Sequence, residues 1–473
     1  MKKKNIYNKH YLMQNKEIRD KIKKILFEDF TKDEIKTFSL DINVKESDRK
    51  DIWLIRRELI SRGYKLFIVG GAVRDAVKNA IKLQKNPQDT TLETPKDFDL
   101  VTDAHPEKIK EIFKDANFIS NILNIGESFA IQFLVTKLGN QYELATFRSD
   151  AGGGRKPDSV KYETSPKEDS KRRDLTINAL FYNIIGLAEG GFNGQVIDYV
   201  GGVEDIKNNV INTVGDPYDR FNEDPLRKIR AIRFASKMGS KIPTNVANAI
   251  KDRDTSLMDP TGKSVSKERI KDEFYKGIKS SKSIKFFLEL LSEFDFFKHI
   301  FGKLNINKNY FIEEKHPIVL VANLLKDNNI KNIGNELNLL KYSGDEIKSI
   351  AFLVSLLNLN ENTVSEIKKF YISKAKYSNP KIGETNFPMN NELIYKFALL
   401  SNIDKIKIDN FLRLANEFVQ PTELLKSLGY QEKDLGMAIS RLEKEFYKNP
   451  NKIKSILDSK NIEEITKLIF ISK

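Results

Sequence analysis

The hydrophobic pattern changes character along the chain. A helical spacing over 48–62 leads through Gly63 to a short apolar run, Leu66-Phe67-Ile68-Val69, that reads as a strand. Two further strand-like runs, 129–135 and 141–147, are joined by Leu138-Gly139-Asn140, the signature of a hairpin. Between them and the first strand, Asp97 and Asp99 alternate with Phe98 and Leu100. A strand there places both carboxylates on one face, ~7 Å apart, with Phe98 and Leu100 in the core. The spacing of Leu175, Ile177 and Leu180 predicts a helix entering the core. Beyond about residue 215 apolar residues recur at three- and four-residue intervals. The expected fold is therefore α+β, a mixed head followed by an all-helical remainder. Residues 1–50 read as a Lys-rich extension with helical patches (Ile18, Ile22, Ile25, Leu26). The predicted divisions are 1–50, a head over 51–205, a helical neck over 206–290, a body over 291–375 and a tail over 376–473.

Composition narrows the class. At 473 residues with 40% hydrophobic content, the chain has enough apolar material for about three folded domains. No apolar run reaches the length of a membrane helix, and the start, Met1-Lys2-Lys3-Lys4-Asn5, lacks the apolar core of a secretory signal. There is no cysteine, hence no disulfide and no cysteine zinc site, which fits a reducing cytoplasm. The formal charge of +14 suits a polyanionic partner such as RNA, and equally a Lys-rich composition spread over solvated helix faces. Charge alone does not decide between them.

Four short stretches carry candidate chemistry. Gly70-Gly71 sits between the first strand and a helix start at Ala72-Val73-Arg74-Asp75, where side-chain-free backbone can approach phosphates, with Arg74 as a nearby cation. Asp97 and Asp99 suit Mg²⁺, which takes one or two carboxylates and completes its shell with substrate phosphate. Asp174, in Arg172-Arg173-Asp174, can cap the following helix or accept a ribose 2′-hydroxyl. In Glu223-Asp224-Pro225-Leu226-Arg227, Pro225 fits the first helical position, Asp224 the cap, and Leu226, Ile229 and Ile232 the buried stripe. Read chemically, Asp224 and Arg227 form an acceptor–donor pair. A carboxylate accepts from cytosine N4 or adenine N6 and repels the carbonyls of uracil and guanine, so the pair selects C and A without a template. Ser149 to Asp158, with three glycines, reads as a mobile loop or a plain surface linker.

Together these stretches resemble the class II CCA-adding tRNA nucleotidyltransferases and their bacterial poly(A) polymerase relatives. The resemblance is close over 66–240 and looser beyond. It implies a DNA polymerase beta-like nucleotidyltransferase head with helical neck, body and tail, and addition of C, C and A to tRNA from CTP and ATP by two-metal attack of the 3′-hydroxyl. It implies Asp97, Asp99 and a third carboxylate, best met by Glu143, as catalytic residues, with Mg²⁺ on Asp97 and Asp99. Gly70, Gly71, Arg74, Asp75, Arg148, Arg173, Asp174, Asn178, Glu223, Asp224, Arg227 and Arg230 would bind the nucleotide. The segment 76–96 is long for the family, with Asn86 to Thr91 as a loop insertion. Glu127-Ser128 replaces a basic pair of the poly(A) branch, and Pro421 to Gly429 followed by Leu435-Gly436 resembles the CCA-adding tail. The alternatives are a poly(A) polymerase and, more remotely, an RNA-binding protein with a decayed active site. None of the four histidines is followed by aspartate, so a His-Asp phosphohydrolase domain is not expected.

Overall fold

The computed structural model describes residues 36–89, 92–95, 97–124, 131–151, 159–162, 165–252, 256–308, 313–360, 363–364, 367–368 and 391–470. The chain forms two compact units, residues 1–265 and 266–473. The boundary falls inside the segment expected as a single neck.

The first unit is built on an eight-stranded sheet in the order β1-β10-β9-β2-β3-β6-β5-β4. Its strands are β1 (Lys36–Asn43), β2 (Leu66–Val69), β3 (Asp99–Thr102), β4 (Ile119–Asn124), β5 (Ile131–Thr136), β6 (Gln141–Thr146), β9 (Leu180–Ala188) and β10 (Gly191–Asp198). Strands β3 and β6 run parallel, and the other ladders of this sheet are antiparallel. A separate hairpin pairs β7 (Arg148–Ala151) with β8 (Ser159–Tyr162). The helices of this unit are α1 (Glu46–Ile60), α2 (Gly71–Lys85), α3 (Pro106–Lys114), α4 (Pro166–Lys171), α5 (Gly202–Asn208), α6 (Pro217–Glu223), α7 (Leu226–Met238) and α8 (Thr244–Lys251). Ile52, Ile55 and Leu59 of α1 and Ile109 and Phe113 of α3 are fully out of solvent, sealing one side of the sheet. On the other side Phe67, Val69, Val101, Phe147 and Phe181 form a compact apolar cluster.

The structure corrects three expectations. Residues 36–43 belong to the sheet rather than to a separate extension: Phe38, Leu40 and Ile42 are buried at every second position, and β1 pairs with β10 along its length. The helical patches at 18–26 lie outside the described residues. The helix expected over 175–180 is only a 3₁₀ turn, Thr176–Asn178, after which the chain enters β9. Leu180, Phe181, Tyr182 and Ile184 are all fully buried between β2 and β10, and aromatic and β-branched residues shielded on both faces favour an interior strand over a helix. Strand β6 ends at Thr146, so Arg148 opens the β7–β8 hairpin instead of closing the third strand. The glycine-rich 152–158 and the segment 125–130, including Glu127-Ser128, lie outside the described residues.

Every described regular element of the second unit is a helix, from Lys267–Ser280 to Ile462–Phe470. Gly277 lets Phe287 lie against the helix backbone, since a Cβ there would meet the ring at 2.0 Å. Phe274 stacks on Phe287 and meets Phe301 edge-on. Lys368 and Glu443 form an ion pair of 2.9 Å, and Tyr447 donates its hydroxyl to Glu443. The tail-like stretch 421–436 forms the helix Thr422–Ser427, a turn with Gly429 at φ +92°, and the start of the helix Glu432–Lys448.

Candidate active site

The site begins where β2 hands over to α2. Gly70 adopts φ +76° and ψ −128°, a backbone that side chains other than glycine's disfavour. A Cβ at Gly70 would stand 3.1 Å from Oδ2 of Asp99. The first turn of α2 and the Asp99 carboxylate thus meet at one point. Arg74, only 2% exposed, donates Nη1 to Asn178 Oδ1 (2.7 Å) and Nε to Asp75 Oδ1 (2.9 Å). Its guanidinium also lies 5.3 Å from the ring centre of Phe234 on α7. Arg74, Asp75 and Asn178 therefore form one hydrogen-bonded cluster at the head of α2, with the Arg74 charge paired to Asp75.

Asp99 opens β3 with Val69 opposite it on one side and Glu143 of β6 on the other. Exposure alternates through 97–100, with Asp97 and Asp99 outward and Phe98 and Leu100 buried. The expected shared face is present, although the ladder itself starts only at Asp99. Surrounding protein raises the Asp99 carboxyl above the ordinary aspartate value, and Asp97 adds to the shift while Arg173 and Arg74 oppose it. Glu143 is raised by burial and by Asp99, against Arg173, Arg148 and Arg172. Two neighbouring carboxyls that resist ionisation together form a site that favours a cation. Among the described residues no three carboxylate or histidine side chains gather closely enough to cage a metal unaided. That donor set suits Mg²⁺, which draws the rest of its shell from phosphate and water.

Asp174 carries the second half of the site. Its Oδ2 accepts from Arg230 Nε at 2.7 Å, and its Oδ1 accepts the Leu175 N–H at 2.8 Å. Burial alone would raise this carboxyl, but Arg230 and Arg227 outweigh it and hold it down at about 2. Arg172 and Arg173 converge on Asp169, a carboxylate with no exposed side-chain surface. Arg173 binds it through Nε (3.0 Å) and Nη2 (2.8 Å), and Arg172 through Nε (2.8 Å). Arg173 also lies over the Phe181 ring at 5.3 Å. Asp169 was not among the expected site residues. The sequence signal was available: an acid three and four residues before two arginines, in the first turn of a helix.

In the stretch Glu223 to Arg227, Asp224 is extended and its Oδ1 accepts the Leu226 N–H at 3.2 Å, the role of a cap. Leu226, Ile229 and Ile232 are buried as the spacing required. Arg227 donates to Glu223 (2.6 Å) and to the carbonyls of Arg220 and Arg172 (3.2 Å each). Glu223 also pairs with Arg220 at 2.7 Å. Arg227 is thus oriented by Glu223 and by the backbone beside Arg173 and Asp174. Arg230 and Arg233 join Arg74 around Phe234, at 5.9 and 4.3 Å. The structure consequently brings together Gly70, Arg74, Asp99, Glu143, Arg173, Asp174, Asn178, Arg227 and Arg230.

Comparison with known proteins agrees with this geometry. Residues 66–212 match the Poly A polymerase head domain. The chain is 36% identical over 242 residues to the CCA-adding enzyme of Lactobacillus helveticus, covering 50% of this chain and 52% of that one. It is 36% identical over 224 residues to the CCA-adding enzyme of Bacillus subtilis, covering 47% and 48%. The chain thus spans about half the length of the curated relatives it matches. Among solved structures it resembles the Bacillus stearothermophilus CCA-adding enzyme in complex with CTP, with a TM-score of 0.62 and 21% identity over 90% of this chain and 100% of that one. It also resembles the Thermotoga maritima CCA-adding enzyme complexed with tRNA, with a TM-score of 0.52 and 18% identity over 93% and 98%. The head is a nucleotidyltransferase head domain of the poly A polymerase type, followed by a helical remainder of the same fold as these structures.

Proposed function

We propose that this protein is a template-independent RNA nucleotidyltransferase that adds C, C and A to the 3′ end of tRNA from CTP and ATP. The observation that carries the reading is the meeting of Gly70 with Asp99, which puts a phosphate-binding turn and paired carboxylates at one point. The names of the relatives that share half of the chain support the choice of tRNA and of these nucleotides.

Asp97 and Asp99, with Glu143 alongside, would hold Mg²⁺, which supplies activation of the primer 3′-hydroxyl and neutralisation of the leaving pyrophosphate. The chain's own residues do the positioning. The α2 N-terminus offers backbone N–H groups to the triphosphate, and Arg74, locked by Asn178 and Asp75, adds a charge that needs no reorganisation. Asp174 stays ionised at any physiological pH and can accept the ribose 2′-hydroxyl while keeping Arg230 directed at the phosphates. Asp224 and Arg227 present the acceptor and donors that match the amino-bearing edges of cytosine and adenine.

The direct experiment supplies purified protein with Mg²⁺, tRNA lacking its 3′-terminal CCA and labelled CTP or ATP. Incorporation by the wild type that is abolished in Asp99→Ala supports the reading. A wild-type protein that binds tRNA without incorporating either nucleotide refutes it and leaves the decayed RNA-binding alternative.

A further inference from the structure

The two outward carboxylates are held in different ways. Asp99 sits in the β-ladder, fixed by Val69 and Glu143 on either side. Asp97 precedes the strand and has no ladder partner. It belongs to the connection between Lys85, the end of α2, and Asp99. A free connection of that length would let Asp97 wander by several ångströms.

Among the described residues, Asn79 of α2 ties the connection back to the helix at Glu93. Asn79 accepts the Glu93 N–H at Oδ1 (3.0 Å) and donates Nδ2 to the Glu93 carbonyl (2.7 Å). This pair of bonds mimics a β-ladder on a single residue. The Glu93 side chain meets Lys78 one position back on the helix. Burial would raise the Glu93 carboxyl, but Lys78, and further off Lys82 and Lys237, pull it below the usual range. Lys237 lies on α7, one turn beyond Phe234, so the same carboxylate faces the helix that carries Arg227 and Arg230. Pro95 is buried between this tie and Asp97.

We infer that Asn79 is a positioning residue: its clamp on the Glu93 backbone replaces the missing ladder for Asp97 and fixes it beside Asp99. The inference rests on the metal-carboxylate reading above. Asn79 acts on the Glu93 backbone, whereas the Glu93 side chain acts by charge, so the two can be separated.

The test uses the full-length protein with Asn79→Ala and Glu93→Gln. Mn²⁺ binding is followed by electron paramagnetic resonance without nucleotide, and incorporation is measured against Mg²⁺ and against CTP. Asn79→Ala should weaken Mn²⁺ binding and raise the half-saturating Mg²⁺ by about tenfold, with the CTP KM changed less than twofold. Glu93→Gln, which keeps both backbone bonds, should change each by no more than about threefold. Amide hydrogen exchange at Glu93 and Phe98 should quicken in Asn79→Ala and leave α2 protected. Unchanged Mn²⁺ affinity in an Asn79→Ala protein that melts like wild type overturns the clamp. So does a loss that falls equally on Mg²⁺ and CTP, because a general loosening of the site would produce it. A wild type that binds no Mn²⁺ and incorporates no nucleotide overturns the clamp together with the metal reading beneath it. An active wild type with an indifferent Asn79→Ala variant overturns the clamp alone.

Discussion

Replacing Asp169 by asparagine isolates the charge that holds Arg172 and Arg173. The side chains are nearly isosteric, so no cavity forms. Yet the change removes a fully buried anion that accepts three guanidinium bonds of 2.8–3.0 Å from the two arginines. Its carboxyl lies below the usual range: burial pushes it up, and Arg173 and Arg172 together push it further down. Breaking a buried ion pair from one side costs about 3–5 kcal/mol. Arg172 and Arg173 retain 20% and 17% exposure and can turn toward water, which places the expected loss near the lower bound, about 3 kcal/mol. For a unit of this size that is a fall in Tm of about 6–12 °C. Function should suffer as well, because Arg173 is one of the cations that restrain the Asp99 and Glu143 carboxyls. Thermal melts and CTP steady-state kinetics, read on the same preparations, check both effects, with kcat/KM expected to fall at least tenfold. A variant within 2 °C of wild type with unchanged kinetics would refute the reasoning, since Asp169 would then not organise the arginines.

Asp97→Ala and Asp99→Ala should each abolish incorporation while tRNA affinity in filter binding stays within a few-fold, and Glu143→Gln should cause a smaller loss. Near-normal turnover in Mg²⁺ for either aspartate variant contradicts the metal assignment. Asp224→Ala and Arg227→Ala should admit UTP and GTP, at a stability cost for the lost cap of about 1 kcal/mol in Asp224→Ala. A melting shift with intact C and A preference would leave Asp224 a cap only. The depressed Asp174 carboxyl stabilises the fold fully above pH 4, and that contribution disappears as pH falls from about 4 toward 2. From that shift, acid unfolding of Asp174→Asn should lack about 2 kcal/mol of the wild-type pH dependence in this window, and equal pH dependence would contradict the buried pairing with Arg230.

Much of the head was legible because its signals are local. The alternation around Asp97 to Leu100, the hairpin at Leu138 to Asn140 and the stripe Leu226, Ile229, Ile232 each follow from one short window. What escaped depends on distant partners. Leu175 to Leu180 has helical spacing, but β2 and β10 compete for the residues that follow and draw Leu180–Ala188 into the centre of the sheet. Lys36–Asn43 became a strand because β10, distant in the sequence, offered it an edge from Gly191 to Asp198. The groups that hold Arg227 were not readable from its own window: its side chain bonds Glu223 and carbonyls from Arg220 and Arg172, the last 55 residues away. Asp169 was readable from its spacing to Arg172 and Arg173, but only its burial shows that it anchors them.

The central claim is tested by the product. Protein, Mg²⁺, CTP and ATP are incubated with tRNA lacking its 3′ end, and the extended RNA is sequenced and sized on one gel. The account predicts addition of C, C and A followed by arrest, with A added only after both C residues. Long A-tails made from ATP alone, on tRNA and unstructured RNA alike, would contradict it and establish poly(A) synthesis instead.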